Sequence, residues 1–186
     1  MDAVIRKISR PEFQRAFSQL QTGQKQRIWE MLRVNQAGET GANTIYRGQH
    51  DVLGRTGDKQ LGQLLQHMWD QEKEHLRVLD EFVPAFQTRP SVLLPVWQTA
   101  GYVLGAGTAM LGKEAAMACT EAVEEVIGGH YNDQLRELSE MEIPEDVKAP
   151  LMQTFSKFRD EELEHFNTSL EHDAQKVQGE IYLCEY

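Results

Sequence analysis

Trp69-Asp70-Gln71-Glu72-Lys73-Glu74-His75-Leu76 is the stretch from which the rest of this chain is read. Glu72 and His75 stand three residues apart, so on a helix they share one face, with Cβ atoms about 5–6 Å apart. A carboxylate beside an imidazole suits iron, manganese or zinc. The pattern returns 90 residues later as Asp160-Glu161-Glu162-Leu163-Glu164-His165, with Glu162 and His165 at the same spacing.

Outward from these copies, the chain divides into four long helical stretches. Gln24 to Leu53 carries Leu32, Asn35, Glu39, Ala42, Tyr46, Gln49 and Leu53 in alternating steps of three and four, which is one helix face. Gly38 and Gly41 flank Glu39, and each costs a helix interior about 1 kcal/mol against alanine; close approach of a neighbouring helix there would account for them. Lys59 to Phe86 carries Leu61, Leu65, Met68, Glu72, His75, Leu79, Phe82 and Phe86 on one face. Lys113 to Met141 carries Met117, Thr120, Glu124, Ile127, Tyr131, Gln134 and Leu138. The fourth, from Asp146 or Val147 to about Gln178, carries Leu151, Phe155, Phe158, Glu162, His165 and Ser169. No segment alternates with period two, so the chain reads as all-α.

The repeat covers more than the two Glu-x-x-His pairs. Glu39 is followed by Tyr46 and Gln49 at +7 and +10, and Glu124 by Tyr131 and Gln134 at the same offsets. Each half is therefore one helix with an inward Glu and one with an inward Glu-x-x-His, the pattern of a four-helix bundle with a dimetal carboxylate core. The candidate ligands are Glu39, Glu72, His75, Glu124, Glu162 and His165. Four buried carboxylates need cations, and two divalent ions balance them. A mixed Glu/His site with open positions points to iron and oxygen activation.

Other residues take plainer readings. Glu74 and Glu164 lie about 160° round the helix from their partner glutamates, at about 100° per residue, and read as solvated. Asp70 and Asp160 are either acceptors for a ligand histidine or surface charge. Tyr46 and Tyr131 read as packed residues behind the metals. Glu121 ranks below Glu124 because it lies outside the repeat. His50, His67 and His172 have no matching constellation, and His130 reads first as a plain helix residue, with a supporting or substrate-facing place as the lesser alternative.

With 186 residues the chain fits one domain, divided as an arm or short helix over 1–23, the bundle over 24–178 and a tail over 179–186. Ile8 to Gln21 reads as one short helix, opened by Pro11 and closed by Thr22-Gly23. The net charge of −10 argues against nucleic acid as a partner. Cys119 and Cys184 form no zinc or redox spacing, and residues 1–30 hold no apolar signal core. Pro90 to Gly112 has no charged residue. It reads either as a buried crossover between the halves or as an element lying in a membrane surface, with Trp97 and Tyr102 at headgroup level.

The motifs resemble those of the demethoxyubiquinone hydroxylases of ubiquinone biosynthesis. They are A-G-E-x-G-A-N-x-I-Y at 37–46, M-W-D-Q-E-K-E-H-L at 68–76, L-G-A-G-T-A-M-L-G-K-E-A-A-M-A-C-T at 104–120, A-V-E-E-x-I with H-Y-N-D-Q-L-R at 122–136, F-R-D-E-E-L-E-H at 158–165 and E-H-D at 171–173. The resemblance implies a ferritin-like fold with two Fe ions, Glu39 and His75 on one, Glu124 and His165 on the other, and Glu72 and Glu162 bridging. It implies hydroxylation of a polyprenylated benzoquinone or quinol ring with O2 as oxidant and NADH or the quinol as reductant. It also implies a lipid-binding partner protein, and a peripheral place on the matrix face of the mitochondrial inner membrane or on the bacterial plasma membrane. It tilts the 90–112 segment toward the membrane surface. Two departures stand out: Asn35-Gln36 where many members have Asp-His, and a short passage from Asp173 to Ile181-Tyr182-Leu183-Cys184-Glu185 where the family usually has a further amphipathic helix. The competing classes are a ferritin-like iron-oxidising protein, which has no use for a membrane face, a rubrerythrin-like peroxidase, which needs four cysteines, and a non-catalytic quinone-binding scaffold. Oligomerisation is compatible with all of these.

Overall fold

A computed structural model describes the backbone of residues 1–183 and the side chains of residues 1–171. Among the described residues every element is helical: α1 (Asp2–Ile8), α2 (Pro11–Ser18), α3 (Thr22–Leu53), α4 (Lys59–Ala85), α5 (Leu94–Leu111), α6 (Lys113–Glu140) and α7 (Glu145–Leu183). Cys184 and the side chains of His172 and Asp173 lie outside the described residues.

The four long helices pack with their polar-apolar seams inward. Every seam residue of α3, α4 and α6 named above is buried, as are those of α7 from Leu151 to Ser169. α3 and α4 form an antiparallel hairpin, since Gln36 meets Asp80 while Asn43 meets Trp69. α6 and α7 form the second, and the two hairpins face each other across the repeat. An apolar layer that includes Phe82, Tyr131, Phe155 and Phe158 closes one end of the polar centre. A smaller cluster of Tyr46, Leu65, Met68 and Met117 closes the other.

The expected short helix is α2, and a further helix, α1, precedes it. Arg10 is extended (φ −81°, ψ 148°) and Pro11 begins α2, because proline favours the first helical turn. Phe13 and Phe17 of α2 meet the Phe86 ring edge-on at 5.0 and 5.3 Å, which pins the pair over the end of α4. Thr22 and Gly23 do not interrupt the chain but start α3, under a reciprocal cap between Gln21 and Gln24.

α5 carries the chain from the end of α4 to the start of α6 and runs alongside α3, in the same direction. Close approach is made by Gly48 on one side and by Gly101 and Gly105 on the other. A Cβ on Gly48 would sit 2.5 Å from the Tyr102 carbonyl and 2.6 Å from the Ala106 amide. Gly38 and Gly41 have no such crowding at their own Cβ positions, but a Cβ on Gly101 would sit 2.7 Å from the Gly41 carbonyl, so α5 does approach closely at Gly41 and the contact runs on to Gly48. Gly112, at φ 124°, forms the one-residue corner into α6. The outer side of α5 leaves Val96, Val103, Met110 and Leu111 more than half exposed, as is Val92 just before it. Among the described residues no helix is long and apolar enough to cross a membrane.

Candidate metal centre

Glu39 on α3, Glu72 and His75 on α4, Glu124 on α6, and Glu162 and His165 on α7 meet at the centre of the four long helices, each at most 1% exposed. They form two overlapping groups, Glu39/Glu72/His75/Glu162 and Glu72/Glu124/Glu162/His165. Within each group one ligand atom per residue lies within 4.8 Å of the others. Glu72 and Glu162 belong to both.

The six side chains are held from behind by pairings that cross between the repeats. Tyr46 Oη donates to Glu124 Oε1 at 2.6 Å, and Tyr131 Oη donates to Glu39 Oε1. Asn35 and Gln134 exchange two hydrogen bonds of 2.7 Å. Their repeat counterparts, Thr120 and Gln49, are bonded to each other, Gln49 Nε2 donating to Thr120 Oγ1 at 3.1 Å. His75 Nε2 donates to Glu161 Oε2 at 3.0 Å, and His165 Nε2 to Gln71 Oε1 at 3.0 Å. The two helix pairs are thus related by an approximate two-fold operation, with each residue's support supplied by the other half.

What these partners leave over is the test of whether a metal fits. Glu39 Oε2, Glu124 Oε2, both oxygens of Glu72 and Glu162, and Nδ1 of His75 and His165 are buried without a hydrogen bond. They crowd together, with His75 Nδ1 at 3.0 Å from Glu162 Oε1 and His165 Nδ1 at 3.2 Å from Glu72 Oε1. Buried polar atoms in such number are costly unless cations bind them. The donor set is carboxylate oxygen and imidazole nitrogen, which suits iron or manganese, and zinc less well where carboxylates dominate. The residues fit a two-metal group.

Electrostatics show the same demand. Burial, then the Glu162 and Glu39 charges, push Glu72 well above the usual carboxylate range. Burial and Glu162 push Glu124 to about 8. Burial opposes a charge on His165, but its contacts with Glu124, Glu162 and Glu72 outweigh this and raise it to about 12. Burial likewise opposes the charge of Glu162, yet the two histidines hold it below the usual range. Without metal, the cluster keeps protons where cations would otherwise sit.

Several residues named from spacing stand elsewhere. Asp70 pairs with Lys73 at 2.7 Å and Asp160 with Arg159 at 2.6 Å, both on the surface, so the acceptors for the histidines are Glu161 and Gln71 instead. Glu74 pairs with Arg77 at 2.7 Å; Glu164, His67 and His130 are exposed; His50 lies against Trp69 with rings 5.4 Å apart. Glu121 is half-buried and outside both groups. Spacing alone gave no signal for Glu161, because the residue before each ligand glutamate turns off the inward face and meets the histidine of another helix.

Among the described residues, a pocket reaches the cluster. A pocket of about 230 Å³ between α6 and α7 has Glu124 in its wall, with Gly128, Gly129, Arg159, Leu163 and Phe166 around it. Gly128 leaves room there, since a Cβ would come 3.8 Å from Glu162 Cβ. Larger surface pockets, of about 560 and 530 Å³, contain none of the six residues.

Comparison with known proteins adds the relatives. Residues 26–184 match the family described as ubiquinone biosynthesis protein COQ7. The chain is 53% identical over 159 residues to the Bos taurus protein named NADPH-dependent 3-demethoxyubiquinone 3-hydroxylase, mitochondrial, covering 86% of this chain and 71% of that one. It is 56% identical over 145 residues to the Homo sapiens protein of the same name, covering 78% and 64%. It is 48% identical over 150 residues to a Rhodospirillum rubrum protein named 3-demethoxyubiquinol 3-hydroxylase, covering 81% and 67%. The chain therefore spans about two thirds of the length of these relatives.

Proposed function

The chain belongs to the ubiquinone biosynthesis protein COQ7 family, and from that premise we propose that it is a ferritin-like di-iron monooxygenase that hydroxylates the ring of a polyprenylated demethoxybenzoquinol or quinone. Four long helices around six buried carboxylate and imidazole side chains are the arrangement of di-iron carboxylate bundles. The observation that carries the reading is the pattern of free oxygens. Glu39 and Glu124 each give one oxygen to a tyrosine and keep one free, which suits a terminal ligand. Glu72 and Glu162 keep both oxygens free, which suits a bridge between two ions.

His75 with Glu39, and His165 with Glu124, would each hold one iron, with Glu72 and Glu162 shared. When bound, the iron pair supplies the activation of dioxygen that no amino-acid side chain provides. The protein positions the ligands, excludes water from the centre and presents the ring. The α6/α7 pocket, with Leu163, Phe166 and Glu124 in its lining, is the entry we assign to the ring. Its mostly apolar lining suits a quinol head. A reduced nicotinamide or the quinol itself would supply electrons.

The polyprenyl tail stays in a bilayer, so the enzyme must work at a membrane surface. The uncharged α5, with its apolar side chains exposed on the side away from α3, is suited to lie in the interface without spanning it. By that reading the protein is peripheral, on the matrix face of the mitochondrial inner membrane or on the bacterial plasma membrane.

The test is iron quantification followed by anaerobic reduction, then exposure to oxygen with a short-chain demethoxyquinol. We expect two irons per chain and a product heavier by one oxygen atom. Two bound irons with no oxygenated product would end the hydroxylase reading, and ferric mineral formation instead would favour an iron-oxidising protein.

A further inference from the structure

The cluster is nearly two-fold symmetric in its ligands but not in what stands behind them. His75 Nε2 donates to a carboxylate, Glu161 Oε2, while His165 Nε2 donates to an amide oxygen, Gln71 Oε1, each at 3.0 Å. Glu161 and Gln71 occupy equivalent places in the repeat, one residue before Glu162 and Glu72. The Glu161 carboxylate is held from the other side by Lys157 Nζ, one turn earlier on α7. The residue at Lys157's equivalent place is His67, which is exposed.

We propose that Glu161 and Gln71 are positioning residues that make the two metal positions unequal, the Glu39/His75 position binding its ion first and more tightly than the Glu124/His165 position. The inference rests on the two-metal reading of the cluster. The physical reason lies in the second hydrogen bond of each histidine. A hydrogen bond to an ionised acceptor is roughly twice as strong as one to a neutral acceptor. An imidazole that donates Nε2–H to a carboxylate becomes a more basic ligand at Nδ1 and is held more firmly in its tautomer and orientation. His75 has this support and His165 does not. Glu161 also adds a negative charge on the His75 side. Lys157 offsets part of that charge, but it orders the carboxylate in the position where it meets Nε2. The two sides match in ligand type, two glutamates shared and one glutamate and one histidine each, but differ in these outer partners of the histidines.

The experiment is an anaerobic Mn(II) titration of the metal-depleted full chain, read by electron paramagnetic resonance, which separates free, isolated and coupled Mn(II). We expect the native chain to fill in two steps. An isolated-ion signal comes first, and the coupled signal follows at a Mn(II) concentration at least about tenfold higher, the low end of what such outer partners are worth. Glu161→Gln should merge the two steps while two ions still bind per chain. Gln71→Glu should tighten the second step toward the first. Glu39→Ala should abolish the tight step and Glu124→Ala the weak one. A single step in the native chain, unequal steps surviving in Glu161→Gln, or the opposite assignment from the alanine variants would overturn the proposal. If Glu161→Gln does not fold, as judged by its helical circular dichroism, Gln71→Glu decides alone. Fewer than two ions per native chain would instead refute the two-metal reading on which the inference rests.

Discussion

At the scale of the residue, the centre divides its carboxylates into two kinds. Tyr46 and Tyr131 each take one oxygen of a glutamate from the opposite repeat, so Glu124 and Glu39 have one oxygen left to offer. On the proposed two-metal reading, removing either glutamate takes away a terminal ligand and leaves Glu72 and Glu162 in place. We expect Glu39→Ala or Glu124→Ala to retain about one iron per chain and to lose hydroxylation, measured by iron content and by product mass. Tyr131→Phe has a different consequence. It leaves Glu39 Oε1 buried without a donor, which costs about 1–3 kcal/mol. Urea unfolding of the metal-depleted protein should show that loss, and an unchanged midpoint would mean that Glu39 finds another partner. Glu39, Glu72, His75, Glu124, Glu162 and His165 were all legible from spacing, because an inward position on a helix is a local property. Glu161 and Gln71 were not, because their partners lie 86 and 94 residues away.

At the scale of the element, α5 shows how a sequence can announce a segment without placing it. The absence of charge from Pro90 to Gly112 set it apart but left a buried crossover and a surface element equally open. The structure shows a crossover that is only half buried: its glycine side lies on α3 and its other side is exposed. Gly105→Ala would drive a Cβ into the Ile45 backbone, and a backbone clash of this kind costs about 1–3 kcal/mol. Gly107 has nothing within 4 Å of its Cβ position, so Gly107→Ala should instead stabilise by about 0.5–1 kcal/mol through helix propensity. Thermal unfolding of the two variants should move in opposite directions, and equal shifts would show that α5 is not packed as described. On the exposed side, Val103→Asp should weaken sedimentation with phospholipid vesicles while leaving metal content unchanged. Undiminished sedimentation would remove α5 from the membrane contact. At the N-terminus, Pro11 marked the start of α2 correctly, while the short α1 before it carried no cap or proline signal and is held by burial of Val4 and Ile8 in the core.

At the scale of the whole molecule, the metal-free and metal-bound proteins should respond differently to pH. His165 is raised from 6.5 to about 12 and Glu124 from 4.5 to about 8, so the folded metal-free chain holds protons that the unfolded chain releases. Such groups contribute stability that is complete below their unfolded values and is lost as pH rises through the folded ones. Glu161 and Glu162, shifted the other way, lose their contributions only as pH falls below about 4.5. Between about pH 5.5 and 8 the melting temperature of the metal-free protein should therefore fall. On the proposed di-iron reading, the metal-loaded protein has its ligands already deprotonated and should change little, so the stabilisation by metal should grow with pH. Parallel melting curves of the two forms across that range would contradict this account. The chain's own periodicity determined four helix faces, an all-α fold, a two-fold repeat and the six side chains that meet at its centre, because each depends on residues three and four apart. The tertiary structure decided which tyrosine meets which glutamate, which helix supports each histidine, where α5 lies and which pocket reaches Glu124. Those outcomes depend on the order and offset of packed helices, and contacts between positions some 70 to 100 residues apart leave no period in the sequence.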